Sequence, residues 1–592
     1  MKVLELKRSR ERVAETDVLV VGSGGAGCCA AIEATKHDVS VTLVTKGLLG
    51  RSGATLTGDA DFDVDSKSLH DLFGFQGTDP NDSKDKFFED MVKGGKYLND
   101  QRLVEVHVKE APERFKDFVD WGIKPRYVLR SSGHSYPRGV VIPGTDYQRI
   151  LDRETKAAGV EIIEETMITD ILADKGAVAG AIALNIRTGD ITVYKAKSVV
   201  LATGGLMRIY PITTAPEELT GDGYAMAYRA GAELINMEFP MFLPGCFVWP
   251  PALRGIDFPF LVSTEGELRG WLLNKYGERF MQRWDPVNME CTTRDIASVA
   301  MAIEILEGRG SPHGGVYVSL KHLPDNLIEY AGEWAIWYKG FKYGNFDLKK
   351  LLPDLKRYAM EAVPASHFTN GGIKINEKCE TNIKGLYAAG EVTGGVHGAN
   401  RLSGNAFTEF AVFGVRAGRY AAEHAKKTSL VSVNEKQVES LEKEMLKPLE
   451  NKEKVKPIEL RERIQKLSLE KLGPVRNNEG LTSAMKDIAD LKQQTEQMGT
   501  VCKDRRYNKE WVEAIQVKNM TLMLEMINRA ALMRTESRGA HYRRDFPNTD
   551  NVNWLKNIII KQVAGKMHLT NYPIIITKLT PPKEIFPYGP AK

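Results

Sequence analysis

Short apolar runs recur along the chain, and three of them lead straight into glycines. Asp17-Val18-Leu19-Val20-Val21 precedes Gly22-Ser23-Gly24-Gly25-Ala26-Gly27, Ser198-Val199-Val200-Leu201 precedes Ala202-Thr203-Gly204-Gly205, and Leu386-Tyr387-Ala388-Ala389 precedes Gly390-Glu391. An apolar run that ends in glycine predicts a buried strand closed by a tight turn. The first run continues into Cys28–Ala34 and then Val39–Val44, which predicts strand, turn, helix, strand. In an open α/β sheet ligands gather at the carboxyl ends of strands, so the three turns are expected to converge on one site.

The texture changes twice. Between about residues 237 and 362, strand-like runs at Phe260–Ser263 and Val316–Ser319 and a helix-like segment from Ile296 to Leu306 predict a small inserted α+β cap. Beyond residue 430, apolar positions recur at three and four residues over Val433–Leu449, Pro457–Leu472, Gly480–Met498 and Lys509–Arg534, as in a helical bundle. The last stretch, Thr570–Lys592, carries five prolines and is expected to lie extended over the surface. At 592 residues the chain exceeds one core, given roughly 150 residues per domain. The expected division is 1–236 and 363–428 for the sheet domain, 237–362 for the cap and 429–592 for the helical domain with its tail.

Composition narrows the partners. Apolar residues at 42%, charged residues at 27% and a net charge of +4 give no electrostatic case for nucleic acid. Charge interrupts Met1–Arg8 too early for a signal sequence, and no run approaches the roughly 18 apolar residues of a membrane span, so a cytoplasmic chain without direct membrane insertion is expected. The six cysteines, Cys28, Cys29, Cys246, Cys291, Cys379 and Cys502, form no Cys-x-x-Cys pair; no metal site, iron–sulfur cluster or c-type haem is expected on the chain itself.

Two segments carry candidate chemistry. In the first, Gly22 permits the tight turn, Gly24 lets backbone approach a pyrophosphate beside Gly25 and Ala26, and Gly27 lets helix pack on strand. The second strand ends in Thr45-Lys46 where an acid normally binds ribose; the threonine can still do so, and Lys46 leaves a 2′-phosphate, and hence NADP, open. In the second segment, His397-Gly398-Ala399-Asn400-Arg401-Leu402-Ser403-Gly404-Asn405-Ala406, Arg401 stands among small residues where a helix begins, an arrangement suited to an anion.

With these go Thr220-Gly221-Asp222-Gly223, Met237-Glu238-Phe239, Thr264-Glu265-Gly266, Arg269-Gly270, Gly277-Glu278-Arg279-Phe280, Thr293-Arg294-Asp295, His367-Phe368-Thr369-Asn370-Gly371-Gly372 and Glu536-Ser537-Arg538-Gly539-Ala540-His541. On these motifs nearly the whole chain resembles the flavoprotein subunits of the succinate dehydrogenase and fumarate reductase family, which also includes L-aspartate oxidase and adenylylsulfate reductase. The resemblance implies an α/β fold with a Rossmann-like FAD-binding domain, an inserted α+β capping domain and a C-terminal helical bundle. It implies FAD, a small carboxylate held against the isoalloxazine, and electron exchange with a separate iron–sulfur protein, through which peripheral membrane association can arise.

By motif match, His367 and Arg401 would clamp a carboxylate, Thr264 would contact substrate, Arg294 would supply the proton or neutralise developing charge, and Glu265 and Arg269 would relay protons. Cofactor contacts would come from Gly22 to Gly27, from Thr45 and Lys46, and from Arg51, Ser52, Gly53 and Thr55. Ile168, Ala202, Thr203, Gly204, Asp222 and Glu391 would add to them, as would Gly404, Asn405, Ala406 and Phe407 beside Arg401. Reducing an activated alkene adds hydride at one carbon and a proton at the other, and preorganised cations in a dry site stabilise the enolate-like charge between. Arginine becomes an acid only beside other positive charge and with a relay to refill it. Taken alone, Arg294 next to Asp295 reads as a structural ion pair and His367 as a core histidine; within the full set both read as site residues. Thr369–Gly372 reads as a polar turn that brings backbone to flavin or substrate, and His541 as a structural tie between helical domain and cap.

Two departures from the family bear on substrate and cofactor. Where the family carries Gln-x-His-Pro, this chain has Met241-Phe242-Leu243-Pro244, and Leu243 cannot donate to a second carboxylate. The longer loop Gly245–Ser263, with Phe247, Val248, Trp249 and Leu253, would line a larger apolar pocket or pack the cap. Where members with covalent FAD carry Ser-His-Thr, this chain has Ser52-Gly53-Ala54, so noncovalent FAD is expected. The leading expectation is an FAD-dependent reductase or dehydrogenase flavoprotein that works at the carbon–carbon bond beside a carboxylate, as one subunit of a larger assembly. The alternatives are an amino acid oxidase resembling L-aspartate oxidase, or a flavin electron-transfer subunit with an altered substrate.

Overall fold

The computed structural model describes residues 12–257, 270–331, 333, 354–452 and 454–589. In chain order, the elements that build the site are β1 (Arg12–Val21), α1 (Gly25–Thr35), β2 (Val41–Val44), β3 (Asp59–Asp63), β4 (Ile191–Leu201), α2 (Asp222–Ala230), β5 (Pro240–Trp249), α3 (Arg294–Leu306), β6 (Met360–Thr369), β7 (Leu386–Ala388) and α4 (Asn405–Lys427).

The three apolar runs that end in glycine become β1, β4 and β7, which lie side by side and parallel, with β2 on the far edge of β1. Glu161–Ile163 extends the sheet beyond β2, and the antiparallel strands Ala177–Asn185 and Thr166–Asp174 extend it beyond β4. Val18 to Val21, Val199 to Leu201 and Leu386 to Ala388 are all buried, as continuous apolar strands covered on both faces must be. Parallel alignment puts the carboxyl ends of all three at one edge, where the expected convergence of the turns occurs.

Close backbone approach brings α4 to the same edge. A side chain at Gly414 would meet the carbonyl of Ala26 at 2.7 Å, and one at Gly418 would meet that of Ala30 at 2.1 Å, so two glycines four residues apart let α4 lie directly on α1. The helix that begins beside Arg401 is thereby held against the helix that begins at the glycine motif.

The cap is a four-stranded antiparallel sheet in the order β5, β6, Val316–Ser319, Trp271–Leu273, packed on α3. It has its own core, with Phe247, Leu253, Phe280, Ile296 and Met301 buried together. Phe247 and Val248 belong to β5; Phe247 is buried with Leu253 in the core of the cap, Val248 packs in a second cluster with Leu243 and Val363, and Trp249 stacks on His313 at 3.9 Å. Of the two expectations for this segment, cap packing therefore holds for Phe247 and Leu253, while Asp257 lines the cavity. The strand expected at Phe260–Ser263 lies outside the described residues. β6 runs to Thr369, past the expected cap boundary at 362.

The C-terminal helices span Glu435–Glu450, Pro457–Lys471, Asn478–Thr495 and Lys509–Met533, within a few residues of the ranges their periodicity predicts. Buried Arg534 joins Glu238 and Glu536 at 2.8 Å each, and His541 accepts from Arg476 at 2.8 Å, which matches the structural reading of His541. The tail lies extended at the surface, as expected, and parts of it pair as strands. Lys566–Pro573 pairs in a hairpin with Lys556–Val563, and Ile585–Pro587 pairs with Asn548–Asp550; proline is tolerated there because edge strands leave some N–H positions unpaired. Among the described residues no helix is long and apolar enough to cross a membrane.

Candidate functional site

A cavity of about 270 Å³ opens where the strand ends meet the cap. Its first wall is the glycine motif. Gly22 has φ +107°, and a side chain there would lie 2.3 Å from the carbonyl of Ala202; one at Gly27 would lie 1.8 Å from the carbonyl of Gly22. Both glycines therefore hold the fold together, and Gly27 does not itself line the cavity. Gly24 is different: a Cβ there would meet only Thr55 Oγ1 at 3.7 Å and would otherwise project into the cavity. Gly24 caps α1 without a side chain, and no acid stands in the first turn, so the partly positive helix terminus faces open space of the kind a pyrophosphate fills. Thr55 Oγ1 accepts from the Gly25 N–H at 2.9 Å, and Thr45 Oγ1 accepts from Ser23 at 2.9 Å.

Lys46 bears on the choice of nucleotide. Its ammonium donates to Asp222 at 2.6 Å, to the Glu218 carbonyl at 2.7 Å and to Thr220 at 3.1 Å, so it is committed within the protein and is no longer an argument for a 2′-phosphate. Asp222 accepts in addition from Asn519 at 2.8 Å. Ser52, Gly53, Ile168, Ala202, Thr203 and Gly204 line the cavity with Ala26, as do Gly404, Ala406 and Phe407 at the start of α4. Three expected contacts do not: Gly27, Arg51 and Asn405. Arg51 is exposed, beside a turn closed by Ser52 Oγ, which accepts from the Leu48 N–H and donates to its carbonyl. Asn405 bonds to His107 at 3.0 Å beneath the helix terminus.

Glu391 occupies the third turn. A side chain at Gly205 would collide with it at 2.0 Å, and its carboxylate accepts from the Thr369 N–H at 3.1 Å. It opens to the cavity yet lies deep in the protein; burial pushes its pKa up to about 8 against the pull of the Thr369 N–H and Arg401. A raised carboxyl pKa means that the folded chain holds a proton the unfolded chain has lost, so stability falls as pH rises from about 4.5 to about 8. In flavin-free protein, Glu391→Gln is therefore expected to raise Tm relative to wild type at pH 8 and to do so much less at pH 5, as thermal scans at the two values would read.

The cap and the sheet domain each supply a cation. Arg294 is the first residue of α3, and Arg401 stands just before α4. Arg401 is 5% exposed, its guanidinium lies 4.4 Å over the Phe368 ring, and burial together with Arg294 drives its pKa down to about 9. Its Nη1 donates to the Leu402 carbonyl at 3.2 Å, while Nε is buried with no hydrogen-bond partner among the described residues. His367 joins the same wall, its Nδ1 bonded to Thr214 Oγ1 at 2.7 Å. Arg294 Nη2 donates to Ser403 Oγ at 2.9 Å; Asp295 faces Lys96 at 3.6 Å, so the ion pair suggested by sequence adjacency is not the one that forms. Arg401, buried and depressed by the neighbouring Arg294, is poised to receive an anion. Thr264, Glu265 and Arg269 lie outside the described residues. Leu243 lines the cavity from the opposite side, buried with Ile212, Val363 and Ala365.

The structure adds residues that pattern reading passed over. Asp61, Ser131, Thr214 and Ser403 all line the cavity. Conversely, Thr369–Gly372 does not. Side chains at Gly371 and Gly372 would strike the carbonyls of Asn236 and Val392 at 2.0 and 2.4 Å, so these glycines serve protein backbone rather than a ligand.

Residues 17–407 match the FAD binding domain family, and 461–585 match the fumarate reductase flavoprotein C-terminal family. The chain is 37% identical over 561 residues to a subunit of the fumarate reductase (CoM/CoB) of Methanothermobacter marburgensis, covering 93% of this chain and 97% of that one. It is 31% identical to a fumarate reductase flavoprotein subunit of Mycobacterium tuberculosis, covering 97% and 99%. Among solved structures, Mycobacterium smegmatis Sdh1 in complex with UQ1 superposes with a TM-score of 0.84 at 31% identity, covering 96% and 95%.

Proposed function

The chain belongs to the fumarate reductase and succinate dehydrogenase flavoprotein family and is an FAD-dependent oxidoreductase, and from that premise we propose that it transfers hydride at the carbon–carbon bond next to a carboxylate. FAD fits the cavity on its own terms: a Cβ-free cradle at Gly24, a helix terminus without an acid, and space enclosed by three strand ends. When bound, FAD supplies the hydride acceptor or donor. We propose that it is held noncovalently, since Gly53 stands where a tethering histidine would be needed.

The observation that carries the proposal is the pairing of Arg294 and Arg401 with His367 across one cavity. Arg401 and His367 would bind the carboxylate, and the mutual repulsion of the guanidiniums would be relieved by its charge. Arg294 would then place a proton, or positive charge, at the carbon opposite the hydride. By motif match Thr264 would contact substrate, with Glu265 and Arg269 refilling the proton. Electrons would pass to or from a separate iron–sulfur protein in the cytoplasm, because the six cysteines are scattered and form no Cys-x-x-Cys pair that would hold a cluster. Anaerobic assay of the purified chain with a reduced dye and a panel of unsaturated carboxylates tests this. Carboxylate-dependent dye oxidation is expected; hydrogen peroxide formed from aspartate in a parallel aerobic assay would favour the oxidase instead.

Leu243 sets the second expectation. A four-carbon dicarboxylate loses a donor at its far end, so Leu243→His is expected to lower KM for fumarate about fivefold or more, equivalent to ~1 kcal/mol. Steady-state KM for fumarate in both forms is the measurement, and an unchanged or higher value would place the far carboxylate elsewhere.

A further inference from the structure

We propose that Asp61 is a positioning residue for the reaction: a buried carboxylate that, through Ser403, holds Arg294 charged and in place against Arg401. This rests on the reading of the cavity as a carboxylate site. Asp61 sits on β3, is 6% exposed and lines the cavity. Its Oδ2 accepts from Ser131 at 2.9 Å and from Ser403 at 3.2 Å, and Ser403 in turn accepts from Arg294 at 2.9 Å. One hydroxyl thus carries an unbroken donor chain from guanidinium to carboxylate. Ionised Asp61 accepts strongly from Ser403, and that orientation of the hydroxyl leaves its lone pairs to Arg294.

The carboxylate also has an electrostatic task. Arg294 and Arg401 repel one another in a dry cavity, and Asp61 offsets both. Asp61 is itself opposed by Asp63, two residues along the same strand and fully buried. Asp63 faces His134 at 3.2 Å, and His134 contacts Arg138, which is paired with Asp82 and Asp90 beneath; burial and both carboxylates hold the phenol of Tyr147, from the helix Gly144–Ala157, in its neutral form. Burial and Asp63 push Asp61 up to about 6 against the pull of Ser131, Arg294 and Ser403. Lowering the pH through that value protonates Asp61, which removes the charge that offsets Arg294 and Arg401 and weakens the bond from Ser403.

The test compares wild type, Asp61→Asn, Asp61→Glu and Ser403→Ala as FAD-loaded full-length chains. Measured are kcat/KM from pH 5 to 9 with the unsaturated carboxylate that wild type reduces best, and fumarate affinity by calorimetry. Wild type is expected to lose kcat/KM below an apparent pKa near 6. Asp61→Asn is expected to lower kcat/KM at pH 8 at least tenfold, to abolish the acid limb and to weaken fumarate binding, with flavin content unchanged. Asp61→Glu should restore part of the limb. Ser403→Ala should reproduce the loss, and adding it to Asp61→Asn should cost nothing further; it carries the test if Asp61→Asn does not fold. A kcat/KM within twofold of wild type and a retained acid limb in either variant would overturn the proposal. A wild-type chain that turns over no unsaturated carboxylate overturns instead the function on which it rests.

Discussion

Arg294→Gln is expected to lower kcat for carboxylate reduction by about 10²- to 10⁴-fold, the range for removing a positioned proton donor or a charge that stabilises the transition state. Glutamine is uncharged, yields no proton and ends two bonds short of the guanidinium tip, so the bond that Arg294 Nη2 makes to Ser403 at 2.9 Å is lost together with the charge, and Arg401 and His367 would meet the developing enolate without it. FAD should stay bound, because the cradle at Gly24, Thr55 and Ala202 belongs to elements other than α3. Flavin absorbance and kcat measured on one preparation decide this; full turnover with FAD retained contradicts the role of Arg294.

A change at the glycine motif should act on cofactor rather than chemistry. Gly27→Ala puts a methyl 1.8 Å from the carbonyl of Gly22, and both partners are backbone, so α1 must move away from β1. Overpacking of this kind costs about 1–3 kcal/mol, which corresponds to an affinity loss of roughly 5- to 150-fold if it falls on the cofactor site. Gly24→Ala provides the contrast. Its methyl enters open cavity, so the fold should tolerate it while the pyrophosphate space is filled. Gly27→Ala is thus expected to lower both Tm and flavin content, and Gly24→Ala flavin content alone, as calorimetry and bound-flavin absorbance would distinguish.

Much of this arrangement is legible in the chain because burial and periodicity are local properties. Val18–Val21, Val199–Leu201 and Leu386–Ala388 announce themselves as buried strands, and the spacing in the C-terminal half places each helix within a few residues. Arg294, His367 and Arg401 stand in distinctive motifs, and the fold gathers all three into one cavity. What is illegible depends on which atoms meet. Thr369–Gly372 has the composition of a ligand-facing turn, yet its glycines yield to Asn236 and Val392, far away in sequence. Asp59-Ala60-Asp61-Phe62-Asp63-Val64-Asp65 reads as a strand with one charged, solvated face, whereas Asp61, Asp63 and Asp65 are all buried. The only warning is the alternation itself: three acids on one face of a strand need donors, and Ser131, Ser403 and His134 come from distant loops. Gly414 and Gly418 likewise look like ordinary helix positions until Ala26 and Ala30 are seen beneath them.

Anaerobic reoxidation of the reduced flavin tests the central claim most directly. FAD-loaded protein is reduced with dithionite, freed of excess reductant, and mixed with fumarate and other unsaturated carboxylates while flavin absorbance is followed. Oxidised-flavin absorbance is predicted to return, with formation of the corresponding saturated acid, in wild type and far more slowly in Arg294→Gln. Flavin that stays reduced before every unsaturated carboxylate, yet is reoxidised by an artificial dye, would contradict hydride transfer at a carbon–carbon bond.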